Sequence, residues 1–293
     1  MANTLFTAEQ AARSTLAALR WLSVLPRTVR TDFSTEFVAG RGQTVNVKGP
    51  ITATGRTYTA ANRAARDAIV FDDVVETWIP VTMEDQVYSA VRLPDDFATF
   101  TLVDLEQQVL RPQAEAVVDQ LSAPLATEMN AVATDAAIPT LDATNIREVL
   151  IQARAVLNDR KVPMSDRYVA LSPAAEAAAL SDELLQKANE SGSDGVLREA
   201  TIGRLFGFTI VSDPSLTDGL GVAYHRDAFA LVTRPSRNPE GAAKSATVAQ
   251  DGFALRWLQH YNPTQLEDQS VVDTFVGAET LDADRAVSFD MTA

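Results

Sequence analysis

Residues 37–66 hold five basic side chains, Arg41, Lys48, Arg56, Arg63 and Arg66, with four glycines and no acidic residue. Large apolar side chains are scarce there, so the stretch cannot bury enough surface to form a core of its own. Thr44 to Lys48 alternates polar and apolar positions, Gly49-Pro50 is a turn signal, and Arg56 to Thr59 is strand-prone. The pattern predicts a long exposed hairpin, which is marginal in water unless something packs against it. The next segment reverses the sign: Asp67 to Glu106 holds ten acids, among them Asp72, Asp73, Glu76, Asp95 and Asp96, against the single base Arg92. Two readings stay open at this point. The segments are separate solvated faces, or the basic hairpin of one copy lies across the acidic region of another.

The whole chain carries 25 Lys and Arg against 39 Asp and Glu, a formal charge of −14, which argues against a grip on nucleic acid through phosphate neutralisation. The absence of cysteine removes disulfides, thiolate nucleophiles and Cys-based metal sites. His225 and His260 are too few and too far apart for a helix-borne zinc motif. His225-Arg226-Asp227 matches the start of a kinase catalytic loop, but Val232 stands where that loop needs a metal-binding Asn; the string reads as a turn or helix start between strands. Gly219-Leu220-Gly221 lacks the third glycine of a dinucleotide fingerprint, and no serine is framed as a nucleophile elbow. The pairs Asp72-Asp73 and Asp95-Asp96 lack the spacing of a calcium loop. No catalytic, cofactor-binding or metal-ligating residue is assigned, and no cofactor is expected. The N-terminus lacks a signal-peptide pattern and no apolar window is long enough to span a bilayer, so the expectation is a soluble protein of the cytoplasm or of a particle assembled there.

Apolar spacing predicts an amphipathic helix over residues 8–25 and a long helix from Asp104 to Val132, opened by Pro112 and bent or locally compensated at Pro124. A boundary falls near Ala136 to Pro139. Residues 137–250 read as α/β: a helix from Thr144 to Arg160, a strand Tyr168 to Leu171, an N-cap and first-turn proline at Ser172-Pro173, a polar loop around Ser191 to Gly195, then strands at Phe208 to Val211 and Val222 to Tyr224. Residues 251–293 return to strand patterning, with Gly277 as a turn. An α/β enzyme built on residues 137–250 is a rival reading; it needs a cleft holding titrating Asp or Glu.

Several strings together resemble the major capsid (coat) proteins of tailed double-stranded DNA bacteriophages. They are Met1 to Leu5, GRGQTVNVK from Gly40 to Lys48, EQQVLRP from Glu106 to Pro112, IGRLFGFTIVSDPSL from Ile202 to Leu216, VAYHRDAFALVTRP from Val222 to Pro235, and the strand pattern from Tyr261 through Val276-Gly277 to Leu281. The similarity runs in order along essentially the whole chain, on the side of the podophage coat-like branch without an inserted domain.

The resemblance implies an α+β protein with the Hong Kong 97-like capsid fold: an N-terminal arm at 1–36, an extended hairpin or E-loop at 37–82, a peripheral domain with a spine helix and sheet at 83–136 and 251–293, and an axial α/β domain at 137–250. It implies a structural protein, not an enzyme, whose copies assemble as pentamers and hexamers into an icosahedral shell that encloses the genome. An encapsulin-like nanocompartment shell protein is the alternative. Inter-subunit contacts are expected from Trp21 and Leu22 of the arm, from Arg41, Lys48, Arg56, Arg63 and Arg66 of the hairpin, and from Asp72, Asp73, Asp95 and Asp96 opposite them. Implied partners are further copies, a separate scaffolding protein, a portal protein, a decoration protein, and packaged double-stranded DNA enclosed without sequence-specific binding; no membrane is involved. The implied location is the virion capsid, assembled in the host cytoplasm. Lys48 is the only lysine of the hairpin, but its surroundings do not match a crosslinking pattern.

Overall fold

The computed structural model describes residues 8–22, 24–31, 44–48, 55–71, 73, 78–96, 106–181, 203–241, 244–250 and 252–291, with side chains for all of these except a few at the ends of elements, such as 18–22 and Glu106. The Ser191 to Gly195 loop lies outside them. Five α-helices are described: α1 Ala8–Leu22, α2 Ala60–Ala65, α3 Arg111–Asn130, α4 Ile146–Asp159 and α5 Pro173–Leu180. The strands are β1 Thr44–Lys48, β2 Trp78–Thr82, β3 Asp85–Pro94, β4 Arg167–Leu171, β5 Arg204–Leu205, β6 Phe208–Ser212, β7 Leu220–His225, β8 Phe229–Arg234, β9 Lys244–Gln250, β10 Phe253–Asn262, β11 Glu267–Thr280 and β12 Ala286–Asp290.

They form three sheets. Strands β1 and β2 make an antiparallel pair; β3-β11-β10-β9 form a second sheet in which β8 also pairs with β11; and β12-β7-β4-β6-β5 form a third. Only β4 and β6 of the third sheet run parallel, and its other pairings are antiparallel. An α+β architecture follows, as expected.

Each sheet faces a different apolar cluster, and single strands act as walls between clusters. In β7, Val222 and Tyr224 point into the first cluster while Ala223 points into the second, the alternation that a pleated strand imposes. In β8, Phe229 and Leu231 belong to the first cluster, whereas Ala230 and Val232 line the third beneath the hairpin. In β12, Ala286 lies in the first, and Val287 and Phe289 lie in the second.

These walls join strands from different spans of the chain. β8 and β9, expected within the axial span 137–250, belong to the sheet of β3, β10 and β11, and β12, expected within the peripheral span 251–293, pairs with β7. The cause is long-range: β8 is apolar on both faces and needs cover from the hairpin base on one side and from the first cluster on the other. Gly277 is likewise no turn. Strand β11 runs through it, and a Cβ there would lie 2.4 Å from the Thr82 carbonyl oxygen.

The long helix begins later than the spacing predicts. A π-turn spans Glu106–Leu110, and α3 proper starts at Arg111 with Pro112 in its first turn. It continues through Pro124, where the missing N–H leaves the Gln120 carbonyl without its helix donor. Its inner face buries Val117, Leu121, Leu125 and Met129 in the first cluster where it meets β3 and β11, and α1 packs both on it and on β9 and β10. One polar side chain crosses this contact. Gln113 donates from Nε2 to the carbonyls of Ser89 (3.2 Å) and Ser270 (3.0 Å), and its Oε1 accepts from Ser270 Oγ, which also accepts from Trp257 Nε1 at 3.0 Å. Gln113 thereby fixes the axial position of α3 on β3 and β11. Removing it strands several buried groups, so Gln113→Ala is expected to cost about 1–3 kcal/mol in a denaturant titration.

After α1 the chain is strapped to the body. Leu25 and Val29 are buried, Arg30 exchanges backbone hydrogen bonds with Phe229 and Leu231 along the free edge of β8, and the Thr28 hydroxyl bonds the phenol of Tyr224. Burial pushes that phenol up from its ordinary pKa, and the Thr28 hydrogen bond opposes the shift in part. The Ser172-Pro173 signal is confirmed: Ser172 caps α5 by accepting from the Ala175 N–H.

His225 closes β7 and accepts the Asp227 N–H at Nδ1, capping the short turn Arg226–Ala228 as the sequence suggested. Burial pulls its pKa down, and Arg285 and Arg167 add to that against the opposing pull of Asp227 and Asp166. The unfolded chain therefore takes up a proton at His225 below about pH 6.5 that the folded chain refuses. Stability is fully present above that pH and declines as pH falls towards the folded value. His225→Asn keeps an acceptor for Asp227 and is expected to flatten the melting temperature between pH 7 and 5; an unchanged slope would refute the assignment.

Candidate assembly interface

The hairpin begins where β1 and β2 pair in the register Thr44↔Thr82 to Lys48↔Trp78. Its alternation is as predicted: Val45 and Val47 are buried, with Val81 from the opposite strand, against Ala230 and Val232, while Thr44, Asn46 and Lys48 face outward. The base is thus fixed to the body.

Beyond the base, Arg56 to Thr59 is not a strand. Thr59 instead caps α2, accepting the Asn62 N–H at 3.3 Å, and Arg66 ends that helix in the left-handed conformation with φ 54°. An Ala-rich run led by a capping threonine favours a helix over a strand. No residue of α2 is buried. The Tyr58 hydroxyl is shared between the carbonyls of Asp67 (2.7 Å) and Asn62 (3.0 Å), and Arg56 donates from Nη1 to the Val70 carbonyl at 3.1 Å.

Four of the five hairpin basics lie within the described residues. Lys48 ends β1 opposite Trp78, Arg56 braces the tip, Arg63 lies in the last turn of α2, and Arg66 is its cap; all four are exposed. Asp73 is exposed beside the tip. Asp95 and Asp96 follow β3, separated from the hairpin base by a ten-residue strand, which spans roughly 30 Å. Asp95 accepts a hydrogen bond from the Tyr261 hydroxyl at 2.9 Å, and that bond holds the phenol above its ordinary pKa. The structure therefore places Arg56, Arg63 and Arg66 beyond the hairpin base and Asp95 and Asp96 at the far end of β3. Arg41 and Asp72 lie outside the described residues, as do the side chains of Trp21 and Leu22 at the end of α1.

Sequence reasoning missed the apolar part of this surface. Ile69, Val70 and Phe71 are 61, 68 and 83% exposed, and Trp78 is 55% exposed on the same hairpin. An isolated exposed apolar residue is ordinary, but three consecutive ones on a projecting tip point to a surface that gets covered. The signal was present in the sequence as an apolar run between Asp67 and Asp72-Asp73. Among the described residues no group of three His, Asp or Glu side chains is placed to hold a metal ion.

No curated protein sequence matches the chain. Among solved structures, the chain is similar to one from Mycobacterium phage Che8, with 19% identity, a TM-score of 0.66, and 91% of this chain and 90% of that one covered. It is also similar to one from Gordonia phage Cozz, with 12% identity, a TM-score of 0.57 and coverage of 92% and 87%. A virus-like particle from Pyrococcus furiosus matches with 12% identity, a TM-score of 0.54 and coverage of 96% and 98%. These likenesses show the fold, the Hong Kong 97 type of the tailed-phage capsids. A family model described as phage capsid protein matches residues 90–274, more than half of the chain, from within β3 through α3 and strands β4 to β10 into β11. The chain therefore belongs to the phage capsid protein family, and its role is that of a structural major capsid subunit and not of an enzyme.

Proposed function

We propose that copies of this chain assemble as pentamers and hexamers into a closed icosahedral shell around double-stranded DNA, with the β1–β2 hairpin as a principal contact between subunits. The observation that carries the reading is the hairpin itself: its base is locked to the body by Val45, Val47 and Val81, while its tip exposes both basic and apolar side chains. In this reading the arm is residues 1–36, the E-loop 37–82, and Lys48, Arg56, Arg63 and Arg66 meet the acidic surface of the next copy, with Asp73, Asp95 and Asp96 contributing to it; Arg41, Asp72, Trp21 and Leu22 belong to the same contacts. Exposed charge pairs are worth about 0–1 kcal/mol each, so charge sets orientation while affinity comes from repetition around the shell. The net charge of −14 suits a wall that encloses DNA without gripping it. Assembly in the host cytoplasm, aided by a separate scaffolding protein and completed with a portal and a decoration protein, belongs to the same proposal.

The double variant Arg56→Glu/Arg63→Glu is expected to give a soluble subunit with an unchanged circular dichroism spectrum that forms no closed shells by negative-stain microscopy. Normal particles would sink the proposed role of the hairpin charges. The likeness to the Pyrococcus furiosus virus-like particle keeps an encapsulin-like compartment as the second reading. Nucleic acid inside purified particles supports the first, and a protein cargo the second.

A further inference from the structure

Two guanidinium groups meet at the corner of the third sheet formed by α4, the start of β4 and the β5–β6 turn. Arg154 and Asn158 stand four residues apart on α4 and so share one face of the helix. Arg167 opens β4 on that side of the sheet: Tyr168 packs on the first cluster and Val169 lies in the second, to which α4 also contributes, so alternation turns Arg167 towards the helix. The β4–β6 register sets Tyr168 opposite Thr209, which brings the start of β4 beside Phe208 and the preceding turn, where Phe206 and Gly207 have φ 48° and 88°.

Arg167 is 3% exposed, and its partners are all neutral. Its Nε donates to the Pro163 carbonyl at 2.7 Å, and its Nη2 donates to the Val162 carbonyl at 2.7 Å and to Asn158 Oδ1 at 2.9 Å. Arg154 donates from Nη1 to the Phe206 carbonyl at 2.8 Å, and the turn closes on it so tightly that a Cβ on Gly207 would stand 3.3 Å from that nitrogen. Nη1 of Arg167 and Nε and Nη2 of Arg154 have no acceptor among the described residues, and no described carboxylate pairs with either group. Burial, and after it the charge of Arg154, pulls the Arg167 guanidinium below its ordinary pKa. Two like charges are thus held together in a chain of net charge −14, and a charge taken out of water is costly unless a counter-charge meets it.

We infer that Arg154 and Arg167 form an anion site for a phosphate group, with their open nitrogens donating to its oxygens. The planar fork of a guanidinium matches phosphate oxygens, and such charge-assisted bonds are among the stronger ones in proteins. Phosphate suits the pair better than a carboxylate because it carries about −1.5 to −2 at neutral pH, close to the two positive charges it would face. Arg167 is deep and Arg154 half-buried, so the site takes one phosphate end-on and not a run of backbone. Free phosphate and a single phosphate of nucleic acid offer it the same chemistry.

The test is thermal melting of the purified chain at fixed ionic strength, with sodium phosphate exchanged for sodium chloride. Phosphate is expected to raise the melting temperature by about 3–6 °C at saturation, sulfate to act similarly, and acetate to add little beyond chloride. Arg154→Gln keeps an amide to donate to the Phe206 carbonyl but removes one charge; it is expected to abolish the rise while leaving the melting temperature in chloride nearly unchanged. Arg154→Lys should retain part of the rise. A duplex oligonucleotide at equal phosphate concentration separates the sources: a rise with inorganic phosphate alone assigns a free anion, and a rise with both that Arg154→Gln removes assigns a site that nucleic acid also fills. A wild-type chain that phosphate stabilises no more than chloride does, or an equal rise in Arg154→Gln, would overturn the site.

Discussion

Asp273→Ala is expected to lower the unfolding free energy of the subunit by about 3–5 kcal/mol, the usual penalty for leaving one member of a buried ion pair alone. Asp273 is 1% exposed in the middle of β11. Its carboxylate accepts from Arg256 Nε on β10 at 2.7 Å, from Gln86 Nε2 on β3 at 2.7 Å, and from the Ser236 hydroxyl in the loop after β8. One carboxylate thus ties three strands and a loop, and Arg256 also donates to the Arg237 carbonyl. Truncation leaves a guanidinium that is only 14% exposed without its counter-charge. The measurement is a urea titration: the midpoint should fall with little change in slope. The double variant Arg256→Leu/Asp273→Leu should recover much of the loss, because an apolar pair avoids desolvating two charges. A single-variant cost below 1 kcal/mol would show that the network contributes orientation and not stability.

Gly277→Val is expected to unseat the hairpin base and abolish shell formation. At this position the constraint is closeness and not unusual backbone angles: the added Cβ would meet the Thr82 carbonyl oxygen at 2.4 Å, its carbon at 2.9 Å and the Met83 Cα at 3.2 Å. Those are backbone atoms, so no rotamer change relieves the clash. The end of β2 must lift away from β11, opening the cluster of Val45, Val47, Val81, Met83, Ala230 and Val232. Overpacking of this kind costs about 1–3 kcal/mol, so the subunit should still fold. The larger effect is functional: limited proteolysis should cut the hairpin faster, and microscopy should show no closed particles. Wild-type protease resistance together with normal shells would refute the role assigned to this close approach.

What was legible in the sequence was whatever local periodicity encodes. Thr44 to Lys48 announced its alternation, Leu121 and Leu125 their helical stripe, and Ser172-Pro173 a cap, because each depends on residues within a few positions of one another. Strand partners were not legible in the same way. β8 and β12 read as members of the neighbouring span because their apolar faces are satisfied by residues far away in the chain, a dependence no short window contains. Gly277 looked like a turn for a related reason: its smallness serves Thr82, nearly two hundred residues earlier. In the hairpin, the alternation of Thr44 to Lys48 was legible, but the exposure of Ile69 to Phe71 depends on the fold and not on any local pattern. The resemblance to phage capsid proteins supplied the architecture that periodicity alone did not.

Strand β11 has a mechanical consequence. Its first part pairs with β3 along one edge and β10 along the other, and its last part pairs with β8 on the edge that β10 has left. The hairpin base rests on this last part, at Gly277. A pull on the hairpin therefore enters at one end of a fourteen-residue splint and is shared as shear over ladders on both sides, where hydrogen bonds must fail together and not one by one. Under outward load such a subunit should stretch little until it ruptures, and the hairpin tip, whose helix α2 buries no residue, should yield first.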